Sequence, residues 1–296
     1  MDKLKVWFAA HKVTATLIGV LGIVGVLGIL GFQNFINKDS GPVEGVDLTF
    51  DAEGPYALLY PRRDGNALVL NLKRTASYDA ITYELAYTSK VMEIRVAGNR
   101  EEESATGSGS IDRGVQGTID TKDKKGEYEQ EILFGTCSQN VCKYDKGVEN
   151  GTLTLHIRKG SKAYRMVTQW HLQKPDVALG NLTSGDGHFV YKINADRQAL
   201  SNIGFSIIND LTGVPKLPEG KIVLGKVYAL NVPIAKSLPG GNVSLELAEN
   251  PPLGAKLARY DDSQNKWVEP EAALDGSKFT GKASGAGIFA VLIPKK

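Results

Sequence analysis

Residues 13–32, VTATLIGVLGIVGVLGILGF, form a run of twenty without one charged side chain. At about 1.5 Å per residue, a helix of that length crosses a hydrocarbon core of roughly 30 Å. A secretory signal peptide has a shorter apolar region, about 7–15 residues, followed by small residues at its cleavage site. The sequence after this run, GFQNFINKDS, offers no such site, and no cysteine follows it that would suit lipidation. The run is apolar on every side, whereas a core helix of a globular domain is amphipathic. The expectation is therefore an uncleaved transmembrane helix. Lys3, Lys5, His11 and Lys12 precede it, and the side richer in Lys and Arg stays in the cytoplasm. The N-terminus is then inside, and residues from about 38 are extracytoplasmic, in a single-pass arrangement with the lipid bilayer as the first partner.

Charge sharpens that division. The chain carries +2 overall from 35 Lys and Arg against 33 Asp and Glu, and +3 of this belongs to residues 1–38. The remainder is close to neutral, which argues against nucleic acid as a partner, since that needs a basic face or stripe.

Beyond a short linker at 33–45 the pattern is that of strands. The stretches VDLTF, YALLY, ALVLNLKR and AITYELAYT follow one another between turn residues, and VMEIRVA alternates apolar and polar positions. Residues 99–110, NREEESATGSGS, read as an exposed loop. Further strands are expected at about 115–120, 128–135, 151–157 and 163–172. Residues 196–203 have room for one turn of helix, and no longer helix is expected after the anchor. Short strands at this spacing suggest a sandwich or barrel. The expected fold is an all-β ectodomain of two tandem β-sandwich, Ig-like domains, 46–175 and 188–296, joined at 176–187. Segments 1–12, 13–32 and 33–45 are the cytoplasmic N-terminus, the helix and the linker.

Two resemblances follow from particular residues. LARY at 257–260, Lys266 with Trp267 and Val268, and GIFAVL at 287–292 resemble the closing β-sandwich module of many bacterial surface proteins, which implies packing and no activity. Residues 83–88 (YELAYT), with FGTC at 134–137 and CKY at 142–144, are similar to uncharacterised membrane-anchored exported proteins of bacteria with small genomes. This second resemblance implies a location and an architecture.

Candidate chemistry is thin. Cys137 and Cys142 frame CSQNVC, and outside the membrane such a pair is expected to be oxidised, across a hairpin tip. A redox catalyst favours C-x-x-C, and a zinc site needs two more ligands where only His156 is near in sequence. His156 and His171 fall on neighbouring expected strands and are candidates to meet. Asp261, Asp262 and Asn265 read as an ordinary hairpin turn in preference to a calcium loop. The N-x-[ST] sequons are at Asn150, Asn181 and Asn242. Exposed aromatics would mark a sugar-binding face, and Tyr83, Tyr87, Tyr144 and Trp170 are the candidates for one. No catalytic, cofactor or metal residues are expected. The expected role is a non-catalytic surface protein for adhesion, envelope organisation or ligand display. Its partner would be an envelope glycan or a surface protein. The alternative is a carbohydrate- or peptidoglycan-binding module, and a hydrolase of envelope polymers ranks behind both.

Overall fold

The computed structural model describes residues 45–295 apart from 92, 98–99, 105–108 and 140, and these residues form one compact unit. The apolar run at 13–32 lies outside the described residues; among those described, no helix is long and apolar enough to cross a membrane.

The first half contributes β1 (Val46–Asp47), β2 (Tyr56–Pro61), β3 (Ala67–Lys73), β4 (Ala80–Lys90), β5 (Glu93–Ala97) and β6 (Arg100–Ser104). It continues with β7 (Ser110–Ile119), β8 (Glu127–Leu133), β9 (Gly135–Ser138), β10 (Val141–Tyr144), β11 (Asn150–Lys159) and β12 (Lys162–Gln173). After β13 (Asn181–Thr183) and β14 (Phe189–Ile193) comes the short helix α1 (Arg197–Ile203). Its N-cap, Asp196, accepts a hydrogen bond from the Ala199 amide. The remainder is β15 (Ser206–Asp210), β16 (Lys221–Asn231), β17 (Gly241–Glu246), β18 (Lys256–Asp261) and β19 (Lys266–Val268), then β20 (Ala272–Asp275), β21 (Lys278–Ala283) and β22 (Gly287–Pro294).

The fold is all-β and sandwich-like. One ten-stranded sheet runs β19-β18-β22-β16-β15-β12-β11-β4-β7, with β1 added parallel to β12. It crosses from one half of the chain to the other where β12 pairs antiparallel with β15, Trp170 opposite Asn209. The segment between these strands, read from sequence as a linker at 176–187, includes β13. A three-stranded sheet, β2-β3-β8, faces the first half of the long sheet, and a five-stranded sheet, β13-β14-β17-β21-β20, faces the second. The run 99–110 departs from the expected loop: Arg100–Ser104 is a strand paired with β5. Its polar sequence, REEES, carries no apolar alternation from which a strand could be read.

Burial explains which runs alternate. On β4 the odd residues 81–89 face the first core and the even ones face solvent. β22, reading GIFAVLIP, is covered on both sides, so its apolar residues are continuous. Phe289 and Val291 enter the second core, whereas Ile288, Ala290 and Leu292 enter a third on the opposite side of the same sheet. β2 is divided likewise: Ala57 and Leu59 belong to the first core, Tyr56 and Leu58 to the third. The stretches LARY, KWV and GIFAVL sit on β18, β19 and β22, with β18 between the other two.

β2 is also tied to the long sheet by side chains. The Asn209 amide donates to the Ala57 carbonyl at 2.9 Å, the Asn231 amide to Leu59 at 3.0 Å, and the Thr212 hydroxyl to Pro55 at 3.0 Å. Alternate carbonyls of a strand point to the same side. Three side chains therefore satisfy one edge of β2 as a neighbouring strand would.

Candidate functional site

The four aromatics expected on a ligand face are placed differently. Trp170 is 2 % exposed, Tyr87 5 % and Tyr83 8 %, and all three belong to the first core. The cause is strand parity: Tyr83 and Tyr87 share the inward face of β4 with Ile81 and Leu85, and Trp170 shares that of β12 with Met166 and Leu172. The Trp170 indole lies across Gly151, its cross-strand partner, where a Cβ would come within 2.2 Å of the ring. Phe134 packs between the Tyr87 ring at 4.9 Å and the Trp170 ring at 5.6 Å. The Tyr87 hydroxyl donates to Asp145 at 2.7 Å, and burial together with that carboxylate pushes its pKa well above the ordinary tyrosine range. Tyr144 alone of the four is half-buried, with the Arg62 guanidinium 5.3 Å from its ring centre. These residues make no common face.

Cys137 and Cys142 stand opposite each other in the β9–β10 hairpin with their sulfurs at bonding distance. His156 and His171 do not meet. His156 is opposite Arg165 and His171 opposite Asn150, six residues further along the same pair of strands. That separation is about 20 Å at roughly 3.3 Å per residue. Asp261 accepts from the Ser263 hydroxyl at 2.6 Å and the Ser263 amide at 3.0 Å, and it pairs with Arg259 at 3.2 Å. This is a hairpin turn, as expected. Among the described residues, no group of three or more His, Cys, Asp or Glu side chains is placed to hold a metal ion.

The concave feature with the most varied chemistry is a cleft of about 460 Å³ where the two halves meet, within the range of ligand sites. Its walls are the β2–β3 turn at 64–66, the segment 145–149, the end of β12 and its continuation, and Phe205 after α1. His171 sits in it half-buried, its Nδ1 2.5 Å from Asn150 Oδ1. Burial lowers the His171 pKa from its ordinary value, against an opposing pull from Glu149, and so favours the neutral ring. An amide oxygen only accepts, so Nδ1 carries the proton and Nε2 is a bare acceptor. Buried Leu172 and Val148 supply apolar floor. Phe205 is held with one face against Gly65, where a Cβ would lie 2.3 Å from the ring, and with the Lys174 ammonium 5.1 Å from the ring centre. Arg62 pairs with Asp64 through two bonds of 2.8 Å and holds that carboxyl down at about 2. Lys146 and Glu149 complete the wall, and Val177 stands 70 % exposed at the rim.

A second, shallower trough of about 470 Å³ opens on the long sheet, lined by Ala86, Thr88, Asp112, Asn150, Thr152 and Gln169 from outward positions and by Tyr87, Arg113 and Trp170 from inward ones. The outward positions of β7, β4, β11 and β12 are Thr, Gln, Asn, His, charged and small residues and the exposed Val167, with no aromatic among them. The cleft therefore offers hydrogen bonding, the ammonium groups of Lys146 and Lys174, the carboxylates of Asp64, Asp145 and Glu149, and apolar floor together, whereas the trough combines hydrogen-bonding groups with one carboxylate, Asp112, and one guanidinium, Arg113. Sequence reasoning missed Lys174, Glu149 and Phe205. His171 and Asn150 had each drawn notice for another reason, and only the β11–β12 register brings them together.

No family model matches the chain, and no curated protein matches it. Among solved structures, a chain described as "Kfla1895 D451A mutant" aligns at 12 % identity over 80 % of this chain and 29 % of its own length, with a TM-score of 0.15. That likeness is too slight to carry an argument about fold or function.

Proposed function

We propose that this is a non-catalytic, membrane-anchored extracytoplasmic protein that binds a partner at the envelope surface. Residues 13–32 are its transmembrane helix, with the N-terminus inside, and the remainder forms two β-sandwich, Ig-like domains. The observation that supports a binding role is the junction cleft. Its walls come from both halves, and the Asn209, Asn231 and Thr212 bonds to β2 hold those halves in register. A preorganised cleft loses little ordering entropy on binding.

A second reading, recognition of an envelope glycan or peptidoglycan, draws on the mixed lining of that cleft. The imidazole of His171, the ammonium groups of Lys146 and Lys174 and the carboxylates of Asp64, Asp145 and Glu149 suit a hydroxyl-bearing polymer, and Leu172 and Val148 suit its apolar faces. Stacking on exposed aromatics has no support, since three of the four candidates are core residues.

The test is saturable binding of the detergent-solubilised full chain to purified envelope polymers, with and without calcium. The glycan reading expects a hit that is lost in a His171→Ala, Lys174→Ala double variant. A hit unaffected by that variant removes the cleft from consideration. No hit across the panel rejects the glycan reading and directs the search, by crosslinking on intact cells, to a protein partner. Protease access from outside the cell tests the anchor separately: protection of residues beyond 45 contradicts it.

A further inference from the structure

β7 is the last strand of the long sheet. One edge pairs with β4 from Ile81 opposite Ile119 to Lys90 opposite Ser110, and no described strand pairs with the other edge. Its residues are exposed or half-buried except Ile119, and Ile111 is 41 % exposed. Proteins guard such edges with charge, proline or cover. β8, the end strand of the facing sheet, carries Glu127, Glu129 and Glu131 at alternate positions. β7 has no charged residue from 114 to 119.

We propose that this edge pairs with the same edge of a second copy of the chain, antiparallel about a two-fold axis through Val115. The inward face of β7 reads Ile111, Arg113, Val115, Gly117, Ile119, with branched apolar residues symmetric about the centre. Keeping inward residues opposite inward residues restricts the register to steps of two. In the register centred on Val115, Ile111 meets Ile119, Val115 meets Val115, and Arg113 meets the small Gly117. On the outward face Asp112 meets Thr118 and Gly114 meets Gln116. Centring on Arg113 or on Asp112 sets like charges directly opposite, which is unfavourable. Centring on Gly114 places Ile111 against Gly117 and Val115 against Arg113, and centring on Gln116 sets Asp112 against Asp120. Centring on Gly117 also sets Val115 against Ile119, but it overlaps residues 115–119 alone; the Val115 register joins apolar to apolar across residues 111–119 with no repelling pair. One strand pair is smaller than the roughly 1,200 Å² of a stable complex, so the dimer is weak when dilute and fills as copies are concentrated. The proposal stands apart from the anchor and the cleft.

The experiment is cysteine crosslinking of the detergent-solubilised full chain with a short bis-maleimide over a range of concentrations. The chain's two cysteines are paired, so an introduced thiol is unique. V115C is expected to give crosslinked dimer that rises with concentration. D112C and T118C are each expected to crosslink poorly alone and well when mixed. T154C, on an interior strand, gives the background, and far-UV circular dichroism verifies folding of every variant used. V115K is expected to run as monomer in sedimentation at concentrations where the parent chain associates. V115C at the T154C background, or a D112C and T118C mixture no better than either alone, overturns the proposal.

Discussion

β2 and β7 are both end strands of their sheets, and the protein treats them in opposite ways. β2 has side-chain donors from Asn209, Asn231 and Thr212 on alternate carbonyls, and both its faces are buried. β7 has a mostly exposed edge that no described strand pairs with. Edge groups shut away from water must be satisfied inside the molecule, whereas edge groups in water are satisfied without help. The fold thus spends its buried amides where the two halves meet and none on the outer rim. Stability is expected to depend on the first edge and hardly at all on the second.

The largest effect should come from removing the amides at β2. Asn209→Ala with Asn231→Ala leaves the Ala57 and Leu59 carbonyls buried and unpaired, at about 1–3 kcal/mol each. Urea unfolding followed by fluorescence should show the midpoint fall; a midpoint within error of the parent would mean that the latch is ornamental.

A glycine pair on β7 gives an intermediate test. A Cβ at Gly117 would meet the Tyr83 ring end at 2.3 Å, whereas one at Gly114 has nothing within 4 Å. Gly117→Ala is expected to cost about 1–3 kcal/mol by overpacking, and Gly114→Ala to stay within about 0.5 kcal/mol. Equal costs would show that β7 is structurally demanding along its whole length.

The smallest effect is in pH dependence beside the latch. Asp210 follows Asn209; burial raises its pKa, although the Gln169 amide and the Thr168 hydroxyl donate to it. A carboxyl whose folded pKa lies above the unfolded value of 3.8 destabilises the fold once ionised. Its penalty is absent below 3.8, grows as pH rises towards the folded pKa, and is constant above it. Asp210→Asn keeps an acceptor oxygen and removes the charge. Its advantage over the parent chain should be least at the acid end and greatest near neutral pH, read from urea midpoints at each pH. An advantage that shrinks with rising pH would reverse the assignment.

Much of the strand pattern was open to reading from the chain. The stretches expected at 128–135, 151–157 and 163–172 correspond to β8, β11 and β12, because each has one buried face and alternates accordingly. The misplaced aromatics were also legible. Ile81 and Leu85 share their parity with Tyr83 and Tyr87, and those aliphatics mark the core side of β4. Reading tyrosines as a ligand face overlooked that companionship. β5 was legible from the alternation of VMEIRVA, whereas β6, reading REEES, has no apolar position to mark it. The cleft and the latch were beyond reach. His171 meets Asn150 through a hairpin register, and Asn209 and Asn231 find partners 152 and 172 positions away through a strand order that no local pattern encodes.

Those two spans bear on how the chain is made. Synthesis runs from the N-terminus at about 5–20 residues per second. β2 therefore leaves the ribosome roughly 10–35 seconds before Asn231 exists to meet it. The carbonyls of Ala57, Pro55 and Leu59 lack their side-chain partners until Asn209, Thr212 and Asn231 are made in turn, and Tyr56 and Leu58 lack the third core. The nascent first half carries an adhesive strand that its own sequence cannot yet cover, so a transient holder, or slow completion in isolation, is built into the order of the chain.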